Sequence, residues 1–421
     1  MQDETYNRMR PTVVEISRAA VLENFAVTKK CAPVGAGVLA MVKADAYGHG
    51  AIMASQWLAH AGVDALGVAT IEEGIELRTA GLSVPIVVMG GLMGQGSAAA
   101  KAALEFSLTC VVHSVAGVRS LVEAVRARKD ATPTAVHLKI DTGMSRLGVR
   151  TEGLHSILNA ISAAPEIQLA GVMTHYAHSV DVEPMQAQIA QFVAAAATIR
   201  TKFSSPLIWH AGKSASIIHD GAVKNILSVP LTQPSPQRER EVDTPQTAAG
   251  IIHPWCAPIP LGAGDRVWVR PGIMLYGIAP CDEQRGVVPL VPAMRVKTQI
   301  ALTKKIPAGT AVSYGGRWIA PRDSRIAVLP LGYADGYPWA LGNRGSALVC
   351  GRRVPIVGSV TMDMILCDIT GVDGVQVGDD VVVLGEQNGA WIHAEDLAAA
   401  CDTIPYEITC RVSKRMPRVA T

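Results

Sequence analysis

The sequence has almost no excess of charge and no concentrated run of either sign. It contains 38 lysine and arginine residues and 36 aspartate and glutamate residues, which gives a formal net charge of +2. A nucleic-acid-binding protein usually carries a basic stripe, and an interaction tail appears as a block of like charges. We therefore expect no nucleic acid among the partners of this chain.

Long apolar runs are absent as well. No stretch approaches the ~20 consecutive apolar residues that a membrane-spanning helix needs. Residues 1–10 mix acidic and basic side chains with no apolar segment behind them, which argues against a secretory signal peptide. We expect a cytoplasmic protein that has no membrane partner.

Cysteine is sparse and shows no metal-binding pattern. The eight cysteines stand at positions 31, 110, 256, 281, 350, 367, 401 and 410, without Cys-x-x-Cys spacing or a histidine-rich neighbourhood. We expect reduced, mostly buried thiols and no bound metal.

Apolar residues, by contrast, are plentiful. They make up 49% of the 421 residues, and charged residues make up 18%. The chain therefore has enough material for a large core and lacks the composition of a disordered protein. Because its length exceeds one ordinary domain, we expect two domains.

Strand and helix patterns alternate through the first two thirds of the chain. After a strand near Val13, Ser17 is the predicted N-cap of a helix that runs through Lys30. Eight short apolar strands then alternate with helical stretches. Eight parallel strands most commonly remove their edges by closing, so we predict a (β/α)8 TIM-type barrel of the α/β class. The predicted strands are Val38–Val42, Ala65–Ala69, Ile86–Met89, Leu108–Val112, Ala135–Ile140, Leu169–Thr174, Leu207–His210 and Val267–Val269.

The pattern changes after Cys281, where short apolar strands are separated by Gly, Pro and Asp turns. Ala394–Cys401 is the only helix predicted there. We predict a barrel domain at residues 11–281 and a mostly β C-terminal domain at 282–421, and the strand near residues 12–16 is a candidate member of the second domain. Residues 228–264 contain seven prolines and no sustained period. We interpret them as an inserted surface loop on the barrel face opposite the chemistry.

Lys43 follows directly on the first barrel strand. A barrel presents such a side chain at its functional end, and a lysine partly removed from water loses preference for its charged form and can form a Schiff base. From position alone, a solvated lysine that merely ends a strand is the commoner outcome. The wider string changes this balance, because Lys-Ala-Asp-Ala-Tyr-Gly-His-Gly at residues 43–50 resembles the cofactor-lysine signature of alanine racemases.

The resemblance extends over residues 11–418 apart from the insertion, with the family motifs in order. It implies a pyridoxal 5'-phosphate enzyme that interconverts L- and D-alanine and supplies D-alanine for peptidoglycan. Lys43 would hold the cofactor, and Arg270, which cannot give up its proton to the pyridine nitrogen, would face that nitrogen and leave the ring a weaker electron sink. The remaining cofactor contacts that the resemblance implies are His175 beside the ring and Tyr47, Ser214, Gly272, Ile273 and Tyr406 around the phosphate.

Racemisation needs two acid/base groups, one on each face of the substrate Cα. Lys43 can serve one face, and the segment around Tyr314 resembles the family segment that carries the second base. Arg146 is the cation expected to lower the pKa of that tyrosine, and by resemblance it binds the substrate carboxylate together with the backbone amide near Met362. The resemblance also implies a head-to-tail homodimer in which the two subunits share each active site.

Two further lysines stand near these motifs. In some alanine racemases the lysine that matches Lys139 is carbamylated, so we predict a carbamate here that pairs with Arg146; a neutral or solvated lysine is the alternative. Lys213 stands where the family commonly has asparagine, which leaves the affinity for the cofactor open.

Other functions remain open from the sequence. A broader-specificity amino-acid racemase and a related barrel decarboxylase share the barrel chemistry. A non-catalytic pyridoxal-phosphate carrier is a single barrel, so the C-terminal β domain argues against it.

Overall fold

The barrel is formed by eight parallel strands that close in sequence order. The computed structural model describes residues 9–128, 132–177, 182–218, 259 and 261–421. The first strand of the chain is β1 (Val13–Ile16), and the barrel strands are β2 (Gly37–Met41), β3 (Ala65–Val68), β4 (Ile86–Val88), β5 (Thr109–Val112), β6 (Thr134–Lys139), β7 (Ile167–Met173), β8 (Ile208–Lys213) and β9 (Arg266–Arg270).

Closure is visible in the pairing of the first and last barrel strands. Gly37 and Val38 of β2 pair in parallel with Trp268 and Val269 of β9, so no barrel edge is left unpaired. All eight predicted strands are present, and their ends differ from the prediction by at most three residues. The helices between them are α1 (Arg18–Cys31), α2 (Lys43–Tyr47), α3 (Ala51–His60), α4 (Ile71–Thr79), α5 (Gly96–Glu105), α6 (Val115–Arg126), α7 (Thr151–Ser162), α8 (Val182–Arg200) and residues 214–218 (α9).

Local capping fixes where two of these helices begin. The Ser17 hydroxyl accepts a hydrogen bond from the Ala20 amide at 3.2 Å, as predicted for the start of α1. At α4, Thr70 and Glu73 form a reciprocal capping box. Each cap satisfies amides that the first helical turn leaves without an intrahelical partner.

The last third of the chain is mostly β, which confirms the predicted fold class of a barrel followed by a β domain. The elements are β10 (Met294–Gln299), β11 (Leu302–Ile306), β12 (Ala311–Val312), β13 (Trp318–Ile319), β14 (Ser324–Leu329), β15 (Ser346–Val349), β16 (Arg352–Pro355), β17 (Ile365–Asp368), β18 (Asp380–Gln387), β19 (Ala390–Ile392), α10 (Ala394–Ala400), α11 (Pro405–Cys410) and β20 (Arg418–Ala420). The largest sheet has the strand order β16-β15-β18-β10-β1-β20, with β19 paired to β18.

The first and last strands of the described residues meet in this sheet. Val14 of β1 pairs antiparallel with Val296 of β10, and Glu15 pairs in parallel with Val419 of β20. The strand near residues 12–16 therefore belongs to the sheet of the last third, although the barrel follows it in sequence.

One prediction for the last third is wrong. Ala394–Cys401 is not the only helix there, because α11 also forms. This helix has six residues and begins with proline at its first turn, where the missing amide is tolerated. A six-residue segment is too short to show the helical period that a sequence pattern requires.

The described ranges lack several features that would indicate another class of protein. They contain no helix long and apolar enough to cross a membrane. They also contain no group of three or more His, Cys, Asp or Glu side chains placed to hold a metal ion. The predicted insertion at 228–264 lies outside the described residues except for 259 and 261–264.

Candidate active site

Lys43 is presented by a left-handed turn at the C-terminal end of β2. The four residues that follow it, 44–47, all have φ between 52° and 55°, a region that costs an L-residue roughly 1–2 kcal/mol. Such a run of non-glycine residues persists only where surrounding contacts fix it. The turn ends at Gly48, whose φ is 85°.

Hydrogen bonds from distant elements hold this turn. The Ala44 amide donates to Glu73 Oε1 at 2.8 Å, and the Asp45 carboxylate accepts from the Ala51 amide at 2.8 Å. The Arg418 guanidinium donates to the Gly48 carbonyl at 3.1 Å. Sequence reasoning missed Glu73; its only signal was the Thr-x-x-Glu spacing of the α4 capping box.

Burial and a neighbouring arginine act on Lys43 in the same direction. Its side chain is half-buried, and burial, followed by the charge of Arg146, lowers the pKa of its amine. Glu73 and Cys410 oppose the shift only in part. A depressed lysine pKa makes the neutral, nucleophilic amine more accessible.

All five predicted phosphate contacts lie together next to the turn that carries Lys43. The Ser214 hydroxyl accepts a hydrogen bond from the Gly272 amide at 2.8 Å. A Cβ on Gly272 would overlap the Tyr47 hydroxyl, so this position requires glycine. The rings of Tyr47 and Tyr406 are 6.0 Å apart, and Ile273 begins a short 3-10 helix directly after Gly272.

Two aromatic residues that sequence reasoning missed lie beneath Tyr47. The Tyr276 ring is 5.4 Å from the Tyr47 ring, and its hydroxyl donates to the Met41 carbonyl at 3.0 Å. His49 stacks on Tyr276 at 4.5 Å. Burial lowers the pKa of His49 to about 4. The imidazole is therefore neutral at physiological pH and adds no charge next to Tyr276 and Tyr47.

Arg270 is a buried cation, and the partners that the described residues give its guanidinium are carbonyl groups. Its side chain is 3% exposed, and its guanidinium donates to the carbonyls of Thr174 at 2.6 Å, Ala211 at 3.0 Å and His210. Burial lowers its pKa to about 10, which leaves it charged at neutral pH. Carbonyl acceptors from two neighbouring strands therefore fix its orientation.

The neighbours of Arg270 stay neutral for the same reason. His137 Nδ1 and His210 Nε2 are 2.9 Å apart inside the barrel, and burial followed by the Arg270 charge lowers the pKa of His137 to about 4. Burial also lowers the pKa of His175 to about 2, with Arg270 and Lys213 as the next causes. These two histidines therefore add no positive charge beside Arg270.

Lys139 lies at the end of β6 and is 5% exposed. Burial, then Arg270 and Arg146, lower its pKa to about 8. The one carboxylate that opposes this shift is Asp141, and its Oδ1 already accepts two amides of the following loop at 3.1 and 3.0 Å. In the part of the chain that the structure describes, no anion pairs with Lys139.

The structure does not bring every predicted site residue to Lys43 within one chain. Tyr314 and Met362 lie on the β domain and are 77% and 53% exposed. No contact among the described residues joins either side chain to Lys43. Arg146 is exposed on the loop after β6.

A buried ion pair that sequence reasoning missed holds the segment next to Met362. Asp335 is fully buried and accepts from the Arg10 guanidinium at 2.6 and 2.5 Å. Asp335 also accepts a hydrogen bond from the Gly332 amide at 2.9 Å. In the same loop, the Ala334 amide donates to the Met362 carbonyl at 3.0 Å. Arg10 thus fixes a loop more than three hundred residues away.

Comparisons with known proteins agree with this arrangement. The family model described as the alanine racemase N-terminal domain matches residues 16–227, and the alanine racemase C-terminal domain matches residues 293–420. The chain is 37% identical over 417 residues to an alanine racemase of Geobacter sulfurreducens, covering 97% of each protein. It is 37% identical over 409 residues to an alanine racemase of Halothermothrix orenii, covering 97% of this chain and 96% of that protein.

Solved structures give the same result at lower identity. The alanine racemase of Clostridium difficile 630 superposes with a TM-score of 0.81 at 28% identity, over 98% of this chain and 96% of that one. An alanine racemase from a D-cycloserine-producing Streptomyces lavendulae superposes with a TM-score of 0.82 at 28% identity, over 98% and 97%. Because the fold, both family models and full-length relatives coincide, the chain belongs to the alanine racemase family of enzymes.

Proposed function

We propose that this protein is a pyridoxal-phosphate-dependent racemase that interconverts L- and D-alanine by a two-base mechanism. The observation that carries the proposal is the strained turn that presents Lys43, whose amine has a lowered pKa, at the barrel end. Next to this turn, Ser214 and Gly272 form a candidate anion site, which we call the cradle. The names of the full-length relatives support alanine as the substrate. One solved relative, from Bacillus anthracis, is described with bound L-Ala-P.

The residues at the barrel end fit the cofactor. Lys43 would hold its carbonyl carbon, and Arg270 would face the ring nitrogen with His175 beside the ring. When bound, pyridoxal phosphate supplies an electron sink that makes the Cα proton of an amino acid removable. The phosphate would be held by the Tyr47 and Tyr406 hydroxyls, by Ser214 and by the amides of Gly272 and Ile273.

The proton transfers would then depend on two side chains. Lys43, displaced when substrate binds, takes or returns the Cα proton on one face. Tyr314 serves the opposite face. Arg146 and the amide near Met362 bind the substrate carboxylate and hold Cα between the two bases.

The exposure of Tyr314 supports a shared active site. Tyr314 and Met362 form part of an exposed surface on the β domain, although an acid/base group must reach the reacting carbon. We infer a head-to-tail homodimer in which Tyr314 of one copy enters the barrel mouth of the other. The division into a barrel domain at 11–281 and a β domain at 282–421 is part of this proposal, as are a cytoplasmic location and a supply of D-alanine to peptidoglycan.

The activity itself is tested by exchange at Cα. The purified protein should show the visible absorbance of bound pyridoxal phosphate and should incorporate deuterium from the solvent into L-alanine while producing D-alanine. L-Serine and L-lysine, tested in parallel, separate an alanine enzyme from a broader racemase. Release of carbon dioxide without inversion would instead indicate a decarboxylase.

We propose in addition that Lys139 is carbamylated. At a pKa of about 8, roughly one lysine in ten is neutral at neutral pH, and its Nζ can add to the carbon of carbon dioxide and lose a proton. The product is an anion that can hold the Arg146 guanidinium in a bidentate pair. Carbamylation therefore replaces the repulsion between the Lys139 and Arg146 cations by attraction.

The variant Lys139→Ala tests the proposed carbamate. We expect the variant to lose racemase activity by roughly a hundredfold, because Arg146 is no longer oriented, and to regain part of it with added acetate. Lys101→Ala, an exposed lysine on α5, is the matched control and should keep its activity. An intact mass or electron density showing plain lysine, together with no rescue by acetate, would contradict the carbamate.

The predicted insertion is also open to a direct test. Replacing residues 228–258, the greater part of the predicted insertion at 228–264, by a short Gly/Ser linker should preserve turnover, because we predict from the sequence that the insertion follows the seventh barrel helix, on the face away from the strand ends. The chain beyond it is anchored independently: Asp265 accepts from the Leu207 amide at 2.7 Å and the Gly262 amide at 2.8 Å. Turnover and thermal unfolding should be measured together. A variant that folds but is inactive would show that the segment is functional.

A further inference from the structure

The barrel end carries one cation more than the proposed chemistry uses. Lys43, Arg146 and Arg270 have proposed roles, and Lys139 has one as an anion, but Lys213 has none. It is half-buried at the last position of β8, where it pairs in register with Arg270 of β9. A half-buried ammonium that is not paired is costly, so its environment needs an explanation.

The backbone at Lys213 is fixed. Its amide donates to the Ser216 hydroxyl at 2.8 Å, and that hydroxyl donates in turn to the Lys213 carbonyl at 2.9 Å. The next residue is Ser214, whose hydroxyl accepts from the Gly272 amide at 2.8 Å. The Lys213 side chain is therefore attached one residue before Ser214, which forms the cradle together with Gly272.

The arginines whose charges act on Lys213 belong to the same end of the barrel. Burial lowers the pKa of Lys213, the charges of Arg270 and Arg146 lower it further, and Cys281 opposes them. Cys281 also acts on Tyr406, whose pKa is raised by burial and then by that thiol. The Gln284 amide group, three residues after Cys281, donates to the Ala215 carbonyl at 2.6 Å, which packs this loop against the start of α9.

The described residues offer Lys213 no carboxylate. The charged groups that act on it are two arginines and one thiol. An anion that enters from solution would stabilise this group of cations, which lies at the barrel end next to the Ser214 hydroxyl and the Gly272 amide. In the proposed function, the anion at Ser214 and Gly272 is the cofactor phosphate.

We propose that Lys213 is a direct counter-charge for the cofactor phosphate, adding a charged contact to a cradle otherwise made of hydroxyls and amides. The inference rests on the proposed function, because that function supplies the phosphate. Asparagine at this position could donate a hydrogen bond but would bring no charge. Lys213 would therefore make this protein retain its cofactor more tightly than an asparagine variant does.

The test compares two cofactors on the full-length chain. Wild type, Lys213→Met and Lys213→Asn are stripped of cofactor and titrated with pyridoxal phosphate and with pyridoxal, which lacks the phosphate. We expect both variants to bind pyridoxal phosphate roughly tenfold or more weakly, since a charged hydrogen bond is lost, and to bind pyridoxal as wild type does. Unchanged pyridoxal binding also shows that the site has folded.

Two further variants make the readout specific to charge. Lys213→Arg should keep most of the affinity for pyridoxal phosphate, and Lys101→Met should keep all of it. Inorganic phosphate, used as a competitor, should displace pyridoxal phosphate less effectively from Lys213→Met than from the wild-type protein.

Equal weakening for both cofactors, or none for either, would overturn the assignment to the phosphate. Failure of the proposed function is distinguished by the wild type, which would then bind the cofactor without racemising alanine. In that case the comparison of the two cofactors still decides the role of Lys213.

Discussion

Replacing Lys43 by alanine is expected to abolish racemisation, with a loss of roughly a thousandfold or more, because one side chain holds the cofactor and also serves as an acid/base group. Borohydride treatment of the wild-type protein should fix the pyridoxyl group on the peptide that contains Lys43. The same treatment of Lys43→Ala should leave no stable label.

The position of Lys43 explains why no other lysine should replace it. It lies at the end of β2, in a left-handed turn clamped by Glu73, whereas Lys139 and Lys213 leave the barrel from other strands. Lys101→Ala is the control for removal of a lysine from the barrel domain, and its labelling pattern should match the wild type. A pyridoxyl label on any residue other than Lys43 would contradict the assignment.

Mixing two inactive variants is expected to restore activity. Lys43→Ala lacks the first base and Tyr314→Phe lacks the second, and we expect each to be inactive as a homodimer. In a hybrid head-to-tail dimer, one site combines an intact Lys43 with an intact Tyr314 from the other subunit. Random exchange in an equal mixture should therefore give about a quarter of wild-type activity, since half of the dimers are hybrids with one of two sites intact.

The hybrid distinguishes action between subunits from action within one subunit. If Tyr314 served the barrel of its own chain, neither subunit of a hybrid would hold both bases. Proven subunit exchange without recovered activity would contradict the shared site. Tyr314→Phe alone should still bind the cofactor, and it should exchange the Cα proton of one enantiomer with solvent without inverting it, because Lys43 still serves its own face.

The sequence alone determined the barrel and the location of its chemistry. Alternation of short apolar runs with helical periods is a local property, so each strand could be recognised from its own residues. Parallel strands in a closed barrel present their C-terminal ends on one face. Residues as far apart as Lys43, Ser214 and Arg270 could therefore be assigned to one site before any contact was known.

The structure decided how that site is held. Residues 44–47 adopt a left-handed turn that local propensity disfavours, and the contacts that fix it come from Glu73 and Arg418. The Arg10–Asp335 pair that supports the loop at Met362 joins residues 325 positions apart.

These features share one physical reason for being missed. Periodicity in a sequence reports which segments are buried, because burial repeats with the geometry of a helix or strand. A hydrogen bond between two distant side chains leaves no periodic pattern in the sequence. A glutamate or arginine that makes such a bond cannot be distinguished, from the sequence, from a glutamate or arginine that faces water. The sequence therefore determined which residues lie at the barrel mouth, and only the tertiary structure decided which distant partners hold Lys43 and Met362 in place.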